Sequence, residues 1–385
     1  MAFTFHRYSY CNIACSHNIF CFSKIFRESG VTRRTEDLNS RIEKSVEIIK
    51  KYQSKEGAYI ASPNFSQYDF CWFRDSSFIA NSMSKVGKRQ SSILFYEWGI
   101  EVIKKQRNWI IELLETDVNN ISYKNLLPTR YKPDGTYCND DWPNGQSDGY
   151  GTFLWSIVKN APSIAKRNSE TIKLLEAYLE KIWKVPCFDV WEESPNGIHT
   201  STLLSIVAGL REAEKIIIRK TKWREIMDFI ETKLVYNGRL KKSTISDDVD
   251  ASICWALEPF QLFDVNNHII VNTIDSIKEK LEKDFGLKRY STDTYYGGGS
   301  WILLTANFGQ CNLRLGRKED AYKNLKWIEK HFNEKGELPE QIPENLIDNA
   351  KYPYWIKRWG DIAEPLLWSH GNYIDLAIST ERTDK

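Results

Sequence analysis

Six stretches of the sequence gather carboxylates, guanidinium groups and large aromatics where helical apolar periods are interrupted, and chemistry is expected there. The first is Tyr68-Asp-Phe-Cys-Trp72-Phe-Arg74-Asp75. A guanidinium fork next to a carboxylate, beside the ring of Trp72, suits a hydroxyl clamp. The plainer alternative is a surface arginine beside an aspartate that caps the following helix. The second stretch carries Trp142, Gln146 and Asp148-Gly149, again a polar cluster with an aromatic face or, more plainly, a helix cap. In the third, Asp189-Val-Trp191-Glu192-Glu193, three carboxylates flank one tryptophan. A solvated acidic turn would look similar. The apolar Val190 and Trp191 argue for partial burial, which raises a carboxyl pKa toward general-acid duty.

The fourth stretch runs Lys288-Arg289-Tyr290-Ser-Thr-Asp293-Thr-Tyr295-Tyr296-Gly-Gly-Gly-Ser300-Trp301. Its glycines allow a close backbone approach to a ligand and equally suit a flexible turn. The fifth is Leu338-Pro339-Glu340-Gln341, where Pro339 stiffens the turn that presents Glu340, or which is a plain helix connection. The last is Trp368-Ser369-His370, in which a hydrogen-bonded structural histidine is the simpler reading. There is no phosphate-binding loop, no GxGxxG, no HExxH and no GxSxG elbow. Carboxylates with aromatics are the chemistry of glycoside cleavage.

Helices must position these stretches. Apolar residues recur at spacings of three and four from residue 36 onward, as in Leu38, Ile42, Val46 and Ile49. The periods predict helices near 36–53, 76–87, 90–116, 148–160, 168–184, 199–219, 221–235, 249–260, 270–284, 300–315, 318–332 and 367–380. Twelve helices with alternately short and long connections suit six antiparallel hairpins closed into two concentric rings. The segments 148–160 and 300–315 are apolar almost all round, as an inner ring requires. Only Gly238-Arg-Leu-Lys-Lys suggests local strand pairing. The expected organisation is an amino-terminal tail or small appendage over 1–35 and one all-α barrel over 36–385.

Composition bounds the partners. The 14 Trp, 19 Tyr and 18 Phe fill a large core, and a net charge of +2 without a basic stripe argues against a nucleic-acid partner. No window approaches the ~20 apolar residues of a membrane span. Eight cysteines without CxxC spacing are expected to be reduced core residues, which points to a cytoplasmic protein. Nothing in the spacing calls for a metal or an organic cofactor.

Taken in order, the six stretches resemble the glucoamylase-like enzymes of glycoside hydrolase family 15. The matching elements are Tyr68-x3-Trp72-x-Arg74-Asp75, Gln146-x-Asp148-Gly149, Asp189-x-Trp191-Glu192-Glu193, Arg289-x3-Asp293-Thr-Tyr295-Tyr296, Leu338-Pro339-Glu340-Gln341 and Trp368-Ser369-His370. They extend over roughly residues 36–380. The resemblance implies an (α/α)6 barrel, agreeing with the helix count. It also implies inversion, with Glu192 as general acid and Glu340 as general base, their carboxyl groups about 6.5–9.5 Å apart. By position, Arg74, Asp75 and Arg289 match the clamp on the terminal glucose. Tyr68, Trp142 and Tyr295 match the lining of the inner subsites, with Trp72 as an aromatic platform and Trp301 on the outer side. Asp148 falls in the Gln146 motif, and Asp189 and Glu193 flank the acid. All are expected to bind substrate.

The Gly297-Gly298-Gly299-Ser300-Trp301 run departs from the family's usual Asn- and Pro-containing approach, implying an altered outer subsite. The short stretch before residue 36 leaves no room for the β-sandwich that many relatives carry, and no starch-binding module is evident. A soluble oligosaccharide is therefore the expected substrate of an exo-acting α-glucosidase that releases β-glucose. A trehalase or an isomaltose/dextran-type glucosidase is the alternative within the family. A non-catalytic sugar-binding regulator on the same barrel is the alternative outside it.

Overall fold

The computed structural model describes residues 36–138 and 140–383; the expected amino-terminal appendage over 1–35 lies outside them. The chain divides into two units at Glu43 and Lys44. Residues 36–51 are helical (α1). In chain order there follow α2 (Phe73–Lys85), α3 (Arg89–Lys105), α4 (Arg107–Glu115), α5 (Asp148–Asn160), α6 (Pro162–Arg167), α7 (Ser169–Ile182) and α8 (Thr200–Ile217). The series continues with α9 (Trp223–Lys233), α10 (His268–Leu281), α11 (Ile302–Arg314), α12 (Lys318–Lys330), α13 (Lys351–Trp359) and α14 (Leu367–Thr383).

Within Lys44–Lys385 an inner ring closes on itself. Helix α2 packs on α5, α5 on α8, α8 on the 3-10 segment Ala251–Ala256, that segment on α11, α11 on α14, and α14 on α2 again. Outer helices rest against this ring: α3 on α2, α7 and α9 on α8, α10 on the 3-10 segment, and α12 on α11 and α14. This is the expected (α/α)6 barrel. Inner elements are buried all round, as in α11, where every residue from Ile302 to Asn312 is inaccessible. Helices α5 and α8 cross so closely that a Cβ on Gly151 would sit 2.5 Å from the Ser205 carbonyl oxygen, so only glycine fits.

Two departures have local causes. The helix expected over 249–260 is a short 3-10 segment, Ala251–Ala256, whose first turn is capped by the Asp250 side chain at Ser252 N. Pro259 disfavours the α conformation at Glu258 and stops its extension. The expected single helix 90–116 is two, α3 and α4, meeting at Gln106. Helix α13 is not among the expected helices, although Tyr352, Trp355, Ile356 and Trp359 keep a helical period; its Pro353 sits in the first turn, where no intrahelical N–H bond is lost. The local pairing suggested near Gly238 is present, Val235–Tyr236 against Arg239–Leu240.

Two small strand pairings present the site. Cys71–Trp72 pairs antiparallel with Arg130–Tyr131, setting Trp72 opposite Arg130. A four-stranded ribbon of Glu282–Lys283, Gly286–Leu287, Ser300–Trp301 and Gln341–Ile342 sets Trp301 opposite Gln341, one residue from Glu340. Its sharp turn explains the triple glycine. Gly298 has φ +74° and a Cβ there would lie 2.3 Å from the Asp293 carbonyl oxygen. The run packs on backbone, with Gly297 O accepting from Ile347 N and Asp348 N.

Candidate active site

A cavity of about 590 Å³ opens where the amino-terminal turns of inner helices meet the long loops. Its lining includes Tyr68, Trp72, Arg74, Asp75, Trp142, Glu192, Glu193, Arg289, Tyr295, Trp301 and Glu340. Eleven of the thirteen residues expected from the sequence thus meet in one place. Asp148 and Asp189 do not. Both are inaccessible (0 and 1 % exposed) and work behind the wall.

The floor is the start of α2. Trp72 is its N-cap residue and neither Asp75 nor any other side chain caps it. Arg74 and Asp75, both buried, are instead turned inward. Arg74 Nε donates to Asp75 Oδ1 at 3.0 Å, and Arg74 Nη1 donates to Gln146 Oε1 at 2.8 Å and Asp148 Oδ2 at 3.3 Å. Asp148 is therefore the counter-ion that aims Arg74, which corrects its expected contact with substrate. Burial raises the Asp75 carboxyl to about 6, partly offset by Arg74. The guanidinium lies 5.2 Å over the Trp368 ring.

Glu192 sits at φ +67°, a left-handed conformation unusual for a non-glycine residue. The turn that imposes it is over-determined. Asp189 Oδ1 accepts from Trp191 N and Glu193 N, both at 2.9 Å. Asp189 N donates to Glu193 O and Glu192 N to Asp189 O. Asp189 is thus the anchor of the turn, a second correction, and its remaining oxygen faces Lys242 Nζ at 3.4 Å. Lys242 also lies 3.2 Å from Asp250, which accepts from Trp191 Nε1 at 2.9 Å. Strain of about 1–3 kcal/mol at such a residue persists only where the surroundings fix it.

The two cavity glutamates are tied to one short segment. Trp72 Nε1 donates to Glu192 Oε1 at 2.8 Å, and Tyr68 Oη donates to Glu340 Oε1 at 2.9 Å. Since the Tyr68 proton is committed to Glu340, its 3.2 Å contact with Tyr295 Oη makes Tyr295 the donor there. Glu340 is held through its backbone, its N donating to Ala363 O and its O accepting from Ile302 N. Its Oε2 is buried, with no hydrogen-bond partner among the described residues.

Burial raises both carboxyl pKa values, Glu340's to about 8. Opposing that rise, Arg74 and the Trp72 donor favour the Glu192 anion, whereas Glu340 has the Tyr68 donor and the charge of Arg289. In the ligand-free cavity Glu340 is therefore held protonated by burial. Filling Oε2 with a hydrogen-bond donor would favour its anion.

The rim is aromatic. Arg289 is bound to Asp293 (Nε to Oδ2, 2.7 Å) and Glu193 (3.3 Å), with Trp191, Tyr295 and Trp301 rings 5.1–5.3 Å from its guanidinium carbon. Glu193 also accepts from Tyr290 Oη. Arg130, absent from the expected set, stacks 3.6 Å from the Trp142 ring and 4.1 Å from Phe70. It fixes Trp142 from behind. Also missed are Trp355, Arg358 and Trp359 of α13. The signal available was aromatic density, with Tyr352, Tyr354, Trp355 and Trp359 within eight residues. His370 is structural: Nε2 accepts from Leu338 N at 3.0 Å, and burial drives its pKa down to about 3.

Among the described residues no cluster of His, Cys, Asp and Glu has metal-holding geometry, and no helix is long and apolar enough to cross a membrane. The five described cysteines are free.

Comparison with known proteins gives a consistent result. A family model described as glycosyl hydrolases family 15 matches residues 45–314. The chain is 35% identical over 345 residues to an isomaltose glucohydrolase of Kribbella flavida, covering 86% of this chain and 90% of that protein. A solved wild-type glycosidase structure superposes with a TM-score of 0.86 at 33% identity, covering 91% of this chain and 98% of that one. A bacterial glucoamylase complexed with acarbose superposes with a TM-score of 0.69 at 20% identity, over 89% of this chain and 55% of that one, a likeness of fold.

Proposed function

The chain belongs to the glycosyl hydrolases of family 15, and from that premise we propose an inverting, exo-acting α-glucosidase that cleaves short gluco-oligosaccharides from the non-reducing end. The relative named for isomaltose favours an isomaltose-type linkage as its substrate. Free cysteines support a cytoplasmic setting.

The observation that carries the reading is a pair of glutamates in one cavity, Glu192 half-buried and Glu340 buried with an unpartnered oxygen. Glu192 is the acid. Burial raises its pKa, and in its acid form it gives its proton to the glycosidic oxygen as the C1–O bond breaks. Glu340 is the base. A water seated on Oε2 donates a hydrogen bond that favours the anion. As its oxygen bonds to C1 from the opposite face, its proton passes to Glu340. Proton exchange with solvent resets both groups. Arg74 and Asp75 bind hydroxyls of the terminal glucose over Trp368, while Trp142, Tyr295 and Trp301 cover the apolar faces of the sugars. Glu193 and Arg289 supply rim hydrogen bonds.

The test is glucose release from isomaltose, maltose and trehalose by wild type, Glu192→Gln and Glu340→Gln. Each variant is expected to lose on the order of 10²–10⁴-fold in kcat, and the first product is expected to be the β anomer. Activity retained in both variants, or an α product, would overturn the assignment; preference for trehalose would transfer it to a trehalase.

A further inference from the structure

Helix α13 is needed neither to close the ring nor to hold either glutamate, yet Trp355, Arg358 and Trp359 face the cavity. None of its residues is buried. Two half-exposed tryptophans and an exposed arginine on one short helix would be a poor arrangement for a purely structural element. They are nevertheless ordered against one another. Arg358 lies with its guanidinium carbon 5.3 Å from the Trp355 ring and 5.1 Å from the Trp359 ring, and its Nη1 donates to Tyr354 Oη at 3.1 Å. The helix is docked by Trp355, whose Nε1 donates to Thr294 O at 2.8 Å and whose ring packs 5.0 Å from Tyr295.

The cavity thus has two unlike ends. Its floor is made by Arg74, Asp75, Leu303 and Trp368, all buried in or beside the first turns of α2, α11 and α14. A terminal glucose on that floor directs its glycosidic oxygen outward, toward the rim where α13 stands.

We infer that α13 is the seat of the leaving-group sugar and so a specificity-determining element. Trp355 and Trp359 offer apolar faces to pyranose C–H groups, and Arg358, held within about 5 Å of both rings, donates to hydroxyls. The inference rests on the α-glucosidase reading. It assigns α13 to the part of the substrate that departs, and gives it no share in the bond-breaking groups.

α-Glucosyl fluoride separates the two contributions, because its leaving group is a single atom that leaves the rim empty. For Trp359→Ala and Arg358→Ala, kcat/KM is measured on isomaltose and on α-glucosyl fluoride. The ratio of the two is expected to fall at least tenfold in Trp359→Ala, severalfold in Arg358→Ala, and to recover largely in Trp359→Phe. A ratio within twofold of wild type in both alanine variants, whether the two activities stay constant or fall together, overturns the role of α13. Wild-type protein that cleaves neither substrate refutes the α-glucosidase reading itself, before any variant is compared.

Discussion

Tyr68→Phe removes one oxygen and tests how Glu340 is kept available as a base. The hydroxyl donates to Glu340 Oε1 at 2.9 Å, and a hydrogen bond to a charged acceptor is worth about 1.5–3 kcal/mol. At 1.36 kcal/mol per pKa unit, its loss raises the Glu340 pKa by about 1–2 units. The direction follows from which form is favoured: the bond stabilises the carboxylate, so deleting it stabilises the acid. A base must be ionised to act, and the acid-side limb of kcat/KM against pH should therefore move up by about 1–2 units, with the larger activity loss at low pH. Tyr295→Phe removes only the donor to Tyr68, so its shift should be a minor fraction of the first, as expected for polarisation along a hydrogen-bond chain. The assay is the pH profile of isomaltose hydrolysis for the three proteins. An unmoved acid limb in Tyr68→Phe, with the loss equal at every pH, would refute the claim that this hydroxyl governs Glu340 ionisation.

Other outcomes follow from the same geometry. Asp189→Ala frees Trp191 N and Glu193 N and should lower kcat on the order of 10²-fold with a smaller change in KM, because the left-handed turn at Glu192 relaxes; a pure KM effect would contradict this. Asp148→Asn should chiefly raise KM, since Arg74 loses one of its two counter-ions and keeps only Asp75. Lys242→Met leaves Asp189 and Asp250 facing one another and should cost about 3–5 kcal/mol in denaturant unfolding. His370 has a folded pKa near 3, below its usual 6.5, so the unfolded state takes up the proton first and stability is lost as pH falls from 6.5 toward 3. His370→Gln should flatten unfolding free energy against pH in that window by about 1.4 kcal/mol per unit.

Periodicity made the ring legible, because inner helices such as α5 and α11 are apolar on every side and their bounds nearly match the expected ones. Chemistry-bearing loops were legible as motifs, but not the division of labour within them. Asp148 and Asp189 look the same in sequence as Asp75 and Glu192. Only the folded structure separates those that aim or anchor, which stand behind the wall, from those that line the cavity. Arg130, stacked against Trp142, and Lys242, between two aspartates, were hidden for a related reason: each acts on a group it does not adjoin in sequence, Trp142 for Arg130 and Asp189 and Asp250 for Lys242. Helix α13 escaped although Tyr352, Trp355, Ile356 and Trp359 form an apolar stripe, because it spans only nine residues and carries a proline.

The attachment of both glutamates to Tyr68–Trp72 has a mechanical consequence. That stretch is a strut of fixed length, stapled at one end by pairing of Trp72 with Arg130 and gripped at the other by Phe65 and Tyr295. A displacement of this stretch moves the donors of both carboxyls together, so the two catalytic groups share one point of reference. Lengthening that stretch by one residue would displace Tyr68 relative to Trp72 and separate it from Glu340, while the helical rings remained intact.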